Sequence, residues 1–273
     1  MLINCQHDPN IVVFTKPFVW YMNHSGFVLA TNTATIVMDY YTDPEAVLSP
    51  YLNSDLPLIF LVSHEHYDHW NPDILNLRSQ TPSYYILDEA CRNYFKETGF
   101  PIDERYMRFV HSPMGLDSIG FEQLPFEDFR VFGSTDAGSS FFFRTEGISY
   151  FHAGDLNNWD WKDEESSAME ANYREKLDEI QGYLSSCSGT IDVAFVAVDG
   201  RLMDRAISGA EIFIDYFAPK ILLPMHLNGG TDYPQVLAKK NARSGTKIVN
   251  LQRPGDRIDE GGRRIPPCVK EVY

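Results

Sequence analysis

Three histidines and an aspartate stand within six positions of the segment LVSHEHYDHW, residues 61–70, in a chain that has only 8 histidines. The apolar residues before this cluster predict a strand buried on both faces, so the cluster begins where that strand ends. Side chains two residues apart in an extended segment point the same way, and His64 and His66 can therefore converge on one ion. Asp68 and His69 could serve a second ion. Imidazole and carboxylate are ligands that zinc, iron and manganese accept, so the spacing predicts one or two divalent metals.

Two further predicted strands also end in residues of the ligand type. FHAGDL, residues 151–156, brings Asp155 to a strand end, and PMH, residues 224–226, ends in His226. Asp155 could bridge two ions with its two oxygens, and His226 could complete the second site. His152 could orient a ligand or lie in the core. Three strands that finish in such residues indicate a site at one edge of a sheet.

The elements that must position these residues alternate between strands and helices. Runs rich in Val, Ile, Phe and Tyr predict strands at 18–23, 27–31, 35–41, 56–63, 84–87, 106–110, 126–132, 139–145, 148–152, 191–198, 220–226 and 246–250. Apolar spacing and stop signals predict helices at about 88–98, 163–186, 208–217 and 233–241, and a short one after Pro72. We expect one α/β domain over residues 1–273, with two mixed sheets flanked by helices and an irregular tail from Arg253.

Charge and hydropathy limit the partners. The net charge is -15, from 23 basic and 38 acidic residues, which opposes the electrostatic attraction that nucleic-acid binding requires. The longest apolar stretches, such as LPLIFLV, are too short to cross a bilayer, and the first residues show no secretory pattern. We therefore expect a cytoplasmic protein with a small-molecule substrate and neither a membrane nor a nucleic acid as partner. The 4 cysteines are scattered and are expected to be small core residues.

The motif H-x-H-x-D-H at 64–69, the later Gly154-Asp155 pair and the lone His226 together resemble the metallo-β-lactamase-fold metallohydrolases. NHSGF and YFHAGDLNNW look most like a bacterial branch of that family related to the lactonases. The resemblance implies a four-layer αββα sandwich and a hydrolase that uses a metal-activated water on a small ester, lactone or phosphodiester. The alternatives are a non-catalytic metal-binding protein of the same fold and a ribonuclease-type member, which the acidic charge disfavours.

The resemblance also assigns ligands. It implies zinc, with manganese or iron as alternatives, on His64, His66 and Asp155 for the first ion and Asp68, His69, Asp155 and His226 for the second. A further histidine that the family places on the first ion has no counterpart in FGSTDAGSS, residues 132–140, and His111 lies too early in the chain. Asp136 could replace it, Ser134 or Thr135 could hold a water there, or the protein could use a single ion.

Other residues are candidates for binding and proton transfer. Asp68 is expected to orient or deprotonate the water, and the resemblance places His24 near the metals, where it could protonate a leaving group. Asp199 and Arg201 could hold an anionic group of the substrate, or they could be a helix-capping carboxylate and a surface cation. Trp159 could wall the pocket or cover an edge of the core.

Overall fold

The computed structural model describes residues 17–161, 166–227 and 232–267, and in these ranges the chain forms two mixed β-sheets with helices beside them. The first sheet contains β1 (Phe18–Asn23), β2 (Gly26–Ala30), β3 (Thr35–Met38), β4 (Leu58–Val62), β5 (Ser83–Asp88) and β6 (Met107–Val110). The second contains β7 (Met114–Gly115), β8 (Asp128–Gly133), β9 (Ser139–Thr145), β10 (Ile148–His152), β11 (Val193–Ala197), β12 (Ile221–Met225) and β13 (Lys247–Ile248). Two short strands, β14 (Arg257–Ile258) and β15 (Arg264–Ile265), extend the first sheet.

Helices connect and cover these strands. The α-helices are α1 (Arg92–Thr98), α2 (Leu116–Ile119), α3 (Ser166–Ser186), α4 (Ser208–Phe217) and α5 (Tyr233–Lys240). Single 3₁₀ turns occupy Ser49–Asn53, Pro72–Asn76, Glu89–Cys91 and Gly200–Arg205. Among the described residues, no helix is both long and apolar enough to cross a membrane.

Parallel pairing sets one edge of each sheet. The strand order is β15-β14-β1-β2-β3-β4-β5-β6 in the first sheet and β13-β12-β11-β10-β9-β8-β7 in the second. Strands β3 to β6 are mutually parallel, and so are β10 to β13, whereas the remaining pairs are antiparallel. Parallel strands end at the same edge, so residues that directly follow β3, β4, β10, β11 and β12 can meet there.

The main core lies between the sheets. Side chains alternate along β2, so Phe27 and Leu29 join this core while Val28 and Ala30 pack on the outer face of the first sheet. The ring of Phe27 lies 4.7 Å from the ring of Phe195 on β11, centroid to centroid, which joins the two sheets. Burial of each such side chain contributes about 1.5–3 kcal/mol.

The predicted strands are present, with shorter ends in several cases. Strand β3 stops at Met38 instead of residue 41 because Asp39 takes a left-handed conformation with φ 44°. The helix predicted from residue 88 begins as a 3₁₀ turn and ends at Gly99 as expected, where φ is 71°. Residues 163–165 of the helix predicted at 163–186 lie outside the described ranges.

The tail from Arg253 is mostly irregular, as predicted, but it also contains two short strands that were not predicted. Strand β14 pairs antiparallel with β1, matching Val19 with Ile258, and β15 pairs with β14. Each strand is only two residues long, an Arg followed by an Ile, which is too short to show a periodicity in the sequence; β14 pairs with the edge of β1. The cysteine prediction was confirmed for the buried Cys91 and wrong for the exposed Cys187, while Cys5 and Cys268 lie outside the described residues.

Candidate metal centre

The predicted ligands meet at the edge where the parallel strands end. His64 follows β4 after one residue, Asp155 follows β10, and His226 directly follows β12. These side chains are buried, with exposed fractions of 1%, 4% and 2% for the three residues. Residues from both sheets therefore contribute to one interior site.

Two clusters can be distinguished. The first cluster consists of His64, His66 and Asp155, and the second cluster consists of His24, Asp68, His69 and His226. Within each cluster one ligand-type atom per residue lies within 4.8 Å of the others, which is close enough for all of them to bind one ion.

Asp155 belongs to the first cluster and also lies close to the second. Its Oδ2 is 3.3 Å from Nε2 of His64, and its Oδ1 is 3.0 Å from Nε2 of His69 and 3.4 Å from Nε2 of His226. Two ligands held about 2.1 Å from one ion lie about 3.0 Å apart at a right angle and about 3.4 Å apart at the tetrahedral angle. These distances would allow the carboxylate of Asp155 to serve as a ligand together with residues of both clusters.

Several atoms of the site are buried without a hydrogen-bond partner. They are Nε2 of His24, His64 and His69, and Oδ1 of Asp155. An unpaired buried polar atom costs about 1–3 kcal/mol, so four of them in one place need a common partner. Imidazole nitrogens and a carboxylate oxygen that converge in this way are a suitable donor set for a divalent cation.

A buried carboxylate beneath the second cluster orients His69. Asp39 Oδ2 accepts a hydrogen bond from His69 Nδ1 at 2.7 Å, which leaves the Nε2 lone pair for an ion. Asp39 also accepts bonds from the Ser63 backbone N–H at 2.8 Å and from its Oγ at 2.7 Å. Ser63 Oγ lies 2.9 Å from His64 Nδ1 and so helps to fix the ring of the first cluster as well. Such outer contacts set the tautomer and the orientation of a ligand.

A second buried carboxylate, that of Asp199, orients the ring of His226. Asp199 Oδ2 lies 2.7 Å from His226 Nδ1, and the Asp199 side chain is also held by the guanidinium of Arg201. The backbone N–H of Arg201 donates to Asp199 Oδ1 at 2.8 Å, so Asp199 caps the 3₁₀ turn that follows β11. Asp199 therefore lies behind a candidate ligand and does not point into open space.

The electrostatics of the site favour positive charge. Burial would lower the pKa of His69, but the close carboxylates of Asp155 and Asp39 outweigh it and raise the pKa to about 10. The pKa of His226 is also raised: Asp155 and Asp199 outweigh its burial. His64 has weaker support, and burial lowers its pKa to about 4. The carboxylates thus attract a cation, and a proton occupies His69 when no ion does.

Two glycines let neighbouring loops approach the first cluster. A Cβ on Gly138, which has φ +64°, would lie 2.1 Å from the Ser63 carbonyl oxygen and 2.5 Å from His64 Cβ. A Cβ on Gly154 would lie 2.8 Å from Ser63 Cβ. The loop between β8 and β9 is therefore packed against His64, and Ser139 N–H donates to the Ser63 carbonyl at 2.8 Å.

His24 lies in the turn between β1 and β2 and reaches the second cluster. Its Nε2 is 3.3 Å from Asp68 Oδ2, and its ring centroid is 4.0 Å from that of His226. Burial is the main cause that lowers the pKa of His24, so its ring is neutral at pH 7. Nearby, His152 donates from Nε2 to the Ser25 carbonyl and accepts from the Gly154 N–H, which connects this turn to the loop that carries Asp155.

Asp136 does not join either cluster. It is exposed, and its backbone N–H donates to Ser134 Oγ at 3.2 Å. Thr135 is engaged elsewhere, since its hydroxyl donates to the Asn157 carbonyl at 2.6 Å. His111 is exposed and lies against the Ser112 carbonyl. The described part of the 132–140 loop thus adds no donor to the first cluster.

Trp159 and Arg201 lie close to the site in different layers. Trp159 is buried, and its Nε1 donates to the Asp155 backbone carbonyl at 2.8 Å while its ring packs against His226. Arg201 is half exposed, with its guanidinium 5.7 Å from the centroid of the Trp161 ring. Trp159 therefore holds the backbone of Asp155 from the buried side of the site, whereas Arg201 remains accessible at the surface.

Sequence reasoning missed Asp39 and Ser63 as supports of the site. Asp39 is fully buried and follows the apolar run TIVM of β3, just as His64 follows β4. An acidic residue directly after a buried parallel strand was the available signal.

Comparisons with known proteins agree with this architecture. The family model described as "Beta-lactamase superfamily domain" matches residues 19–170. The structure resembles Igni18, a metallo hydrolase from the archaeon Ignicoccus hospitalis KIN4/I, with a TM-score of 0.62, 17% identity and coverage of 89% of this chain and 97% of that chain. It also resembles the metallo-beta-lactamase fold protein YhfI from Bacillus subtilis, with a TM-score of 0.57, 15% identity and coverage of 89% and 99%.

A third structural likeness is to CmlA, a diiron beta-hydroxylase from Streptomyces venezuelae. The TM-score is 0.58 at 12% identity, over 89% of this chain and 54% of that chain. A comparison with curated protein sequences found no match. At these identities the likenesses concern the fold, and they confirm the prediction of two mixed sheets flanked by helices.

Proposed function

The chain belongs to the beta-lactamase superfamily, and from that premise we propose that it is a metal-dependent hydrolase of a small ester, lactone or phosphodiester. The observation that carries the proposal is the convergence of unpartnered buried histidine nitrogens on the two oxygens of Asp155. A divalent ion held by these residues would activate a water near pH 7 and polarise the oxygen of a substrate. Zinc is the ion we favour, with manganese and iron as alternatives.

Different residues would hold the ions, orient the histidine ligands and position a water. The first cluster and the second cluster would hold one ion each, and Asp155 would fix the separation between the two. Asp39, Ser63 and Asp199 keep the histidine rings in position, so little reorganisation is needed when charge develops on the substrate. Asp68 is half buried and can hold or orient a water with whichever oxygen is not engaged by an ion.

The substrate is expected to enter over His66 and Asp68. His66 is exposed and Asp68 is partly exposed. Because His64, His69 and Asp155 are buried, the site is accessible to solvent from the side of His66 and Asp68. Arg201 is half exposed, and the charges of Asp68 and Asp155 help to raise the pKa of its guanidinium. A cation in this position would favour a substrate with an anionic group near the reacting bond, such as a phosphodiester or a lactone that carries a carboxylate.

A ribonuclease role is less well supported than action on a small molecule. The net charge of -15 would repel a long polyanion, and the affinity of RNA for a protein depends strongly on basic surface groups. A likeness to the lactonase-related bacterial branch rests on the segments around His24 and Asp155, and both segments border the site.

The proposal is tested with protein prepared without chelator and without immobilised nickel. Metal content and turnover are measured on a panel of esters, lactones and phosphodiesters, for the wild type, for His64→Ala and for the matched control His111→Ala. We expect turnover by the wild type and by His111→Ala and its loss in His64→Ala, because His111 is exposed and lies outside both clusters. Full turnover by a folded His64→Ala protein would contradict the proposal, and bound metal without turnover on any substrate would favour a non-catalytic metal-binding protein.

A further inference from the structure

The turn that carries His24 holds this side chain ready for a ligand role. His24 has φ 52°, a left-handed conformation that is uncommon outside glycine. Its backbone N–H donates to Asn23 Oδ1 at 3.0 Å, and its carbonyl accepts from the N–H of His226 at 3.1 Å. This backbone hydrogen bond joins the turn to His226, which directly follows β12 and also belongs to the second cluster.

The imidazole of His24 faces the other members of the second cluster. Its side chain is 6% exposed, and Nε2 is buried without a hydrogen-bond partner. The nearest acidic atom, Asp68 Oδ2 at 3.3 Å, is separated from it by the distance expected for two ligands of one ion. An unpartnered nitrogen aimed into a group of metal-type donors points to coordination.

We propose that His24 is a metal ligand, so that the two ions are held unequally; the proposal rests on the function proposed above. The four residues of the second cluster and Asp155 Oδ1 then offer five protein donors to one ion. The first cluster offers three, namely His64, His66 and Asp155 Oδ2. With more protein donors, the second position would bind its ion more tightly, and the first position would exchange its ion more readily. As a ligand through Nε2, His24 could not protonate a leaving group from that nitrogen.

The variant His24→Asn tests this without changing the demands on the backbone, because Asn also tolerates a left-handed conformation. His111→Asn is the matched control, since His111 is exposed and outside both clusters. Calorimetric titration of the metal-free proteins with Mn²⁺ is expected to give one tight and one weak site for the wild type and the control. In His24→Asn the tight dissociation constant should rise about ten-fold or more, with the weak one nearly unchanged. A tight constant equal to that of the control would overturn the proposal.

X-ray absorption on the wild type gives a second readout that does not depend on a variant. With one equivalent of Mn²⁺, the ion should have three imidazole ligands from His24, His69 and His226; two imidazoles would overturn the proposal. The outcomes separate the two hypotheses. Wild-type protein that binds no ion would refute both, whereas binding with the expected three imidazoles but no turnover would refute the hydrolase alone. Turnover together with unaltered ion binding by His24→Asn would refute the ligand role alone.

Discussion

Replacing Asp39 by Asn should weaken metal binding at the second cluster although Asp39 is one layer away from the ion. The carboxylate accepts a hydrogen bond from His69 Nδ1 and two from Ser63. An amide of the same shape has only one acceptor oxygen. If its NH₂ group faces His69, it donates to Nδ1 and keeps the proton on Nε2, the atom needed by the ion. If it faces Ser63, two donors meet in a buried site.

The expected loss of metal affinity in Asp39→Asn follows from the hydrogen bond that is lost. One hydrogen bond to a charged acceptor is removed, which is worth about 1.5–3 kcal/mol. Loss of such an outer partner lowers metal affinity about 10- to 100-fold, or about 1.4–2.7 kcal/mol. The two estimates agree, so Asp39→Asn should raise the tighter dissociation constant by at least about ten-fold. The assay is calorimetric titration of the metal-free protein, with circular dichroism to establish that the variant is folded.

Asp88→Asn provides the control. Asp88 is also a buried acid at the end of a parallel strand, but it accepts from Ser139 Oγ at 2.5 Å and from the Ala90 N–H at 2.9 Å and lies outside both clusters. If folded Asp39→Asn and folded Asp88→Asn bound metal within about two-fold of each other, the proposed orientation of His69 would be refuted.

Two further predictions concern packing and protons. Gly138→Ala should cost about 2–5 kcal/mol of unfolding free energy, because its Cβ would lie 2.1 Å from Ser63 O, whereas Gly147→Ala, with φ +73° and open space around it, should cost about 1–2 kcal/mol. Urea unfolding compares them, and equal losses would contradict the close approach. Because the pKa of His69 lies above 7, ion binding must release its proton, and affinity must rise with pH; titrations that showed the same affinity at acidic and alkaline pH would contradict this.

The parts of the site that depend on short-range spacing could be predicted from the sequence. The strand β4 is fully buried, and His64, His66, Asp68 and His69 follow it within a few residues. Because that segment is local, its residue types and their spacing were sufficient to indicate metal chemistry. The strands that deliver Asp155 and His226 were likewise visible as apolar runs.

The sequence did not show which of these residues would face an ion and which would support a ligand from the other side. Asp39 reaches His69 only because β3 pairs in parallel with β4, with Met38 opposite Leu61, and no local pattern reports that register. Asp199 was expected either to hold an anionic group of the substrate or to cap a helix; it caps the 3₁₀ turn after β11, and its contact with His226 Nδ1 had not been predicted. The sequence indicates which residues end at the shared edge, whereas the distance of each from the ion depends on long-range pairing.

The same arrangement appears once in each sheet, and this explains how so many charged groups can be buried together. In the first sheet an acid that follows β3 supports a histidine that follows β4; in the second, an acid that follows β11 supports the histidine that follows β12. An unpaired buried carboxylate costs several kcal/mol, so each acid needs a donor. Since each histidine satisfies its acid through Nδ1, its Nε2 stays directed at Asp155. The pairing that stabilises the interior therefore also keeps the metal-facing nitrogens in place.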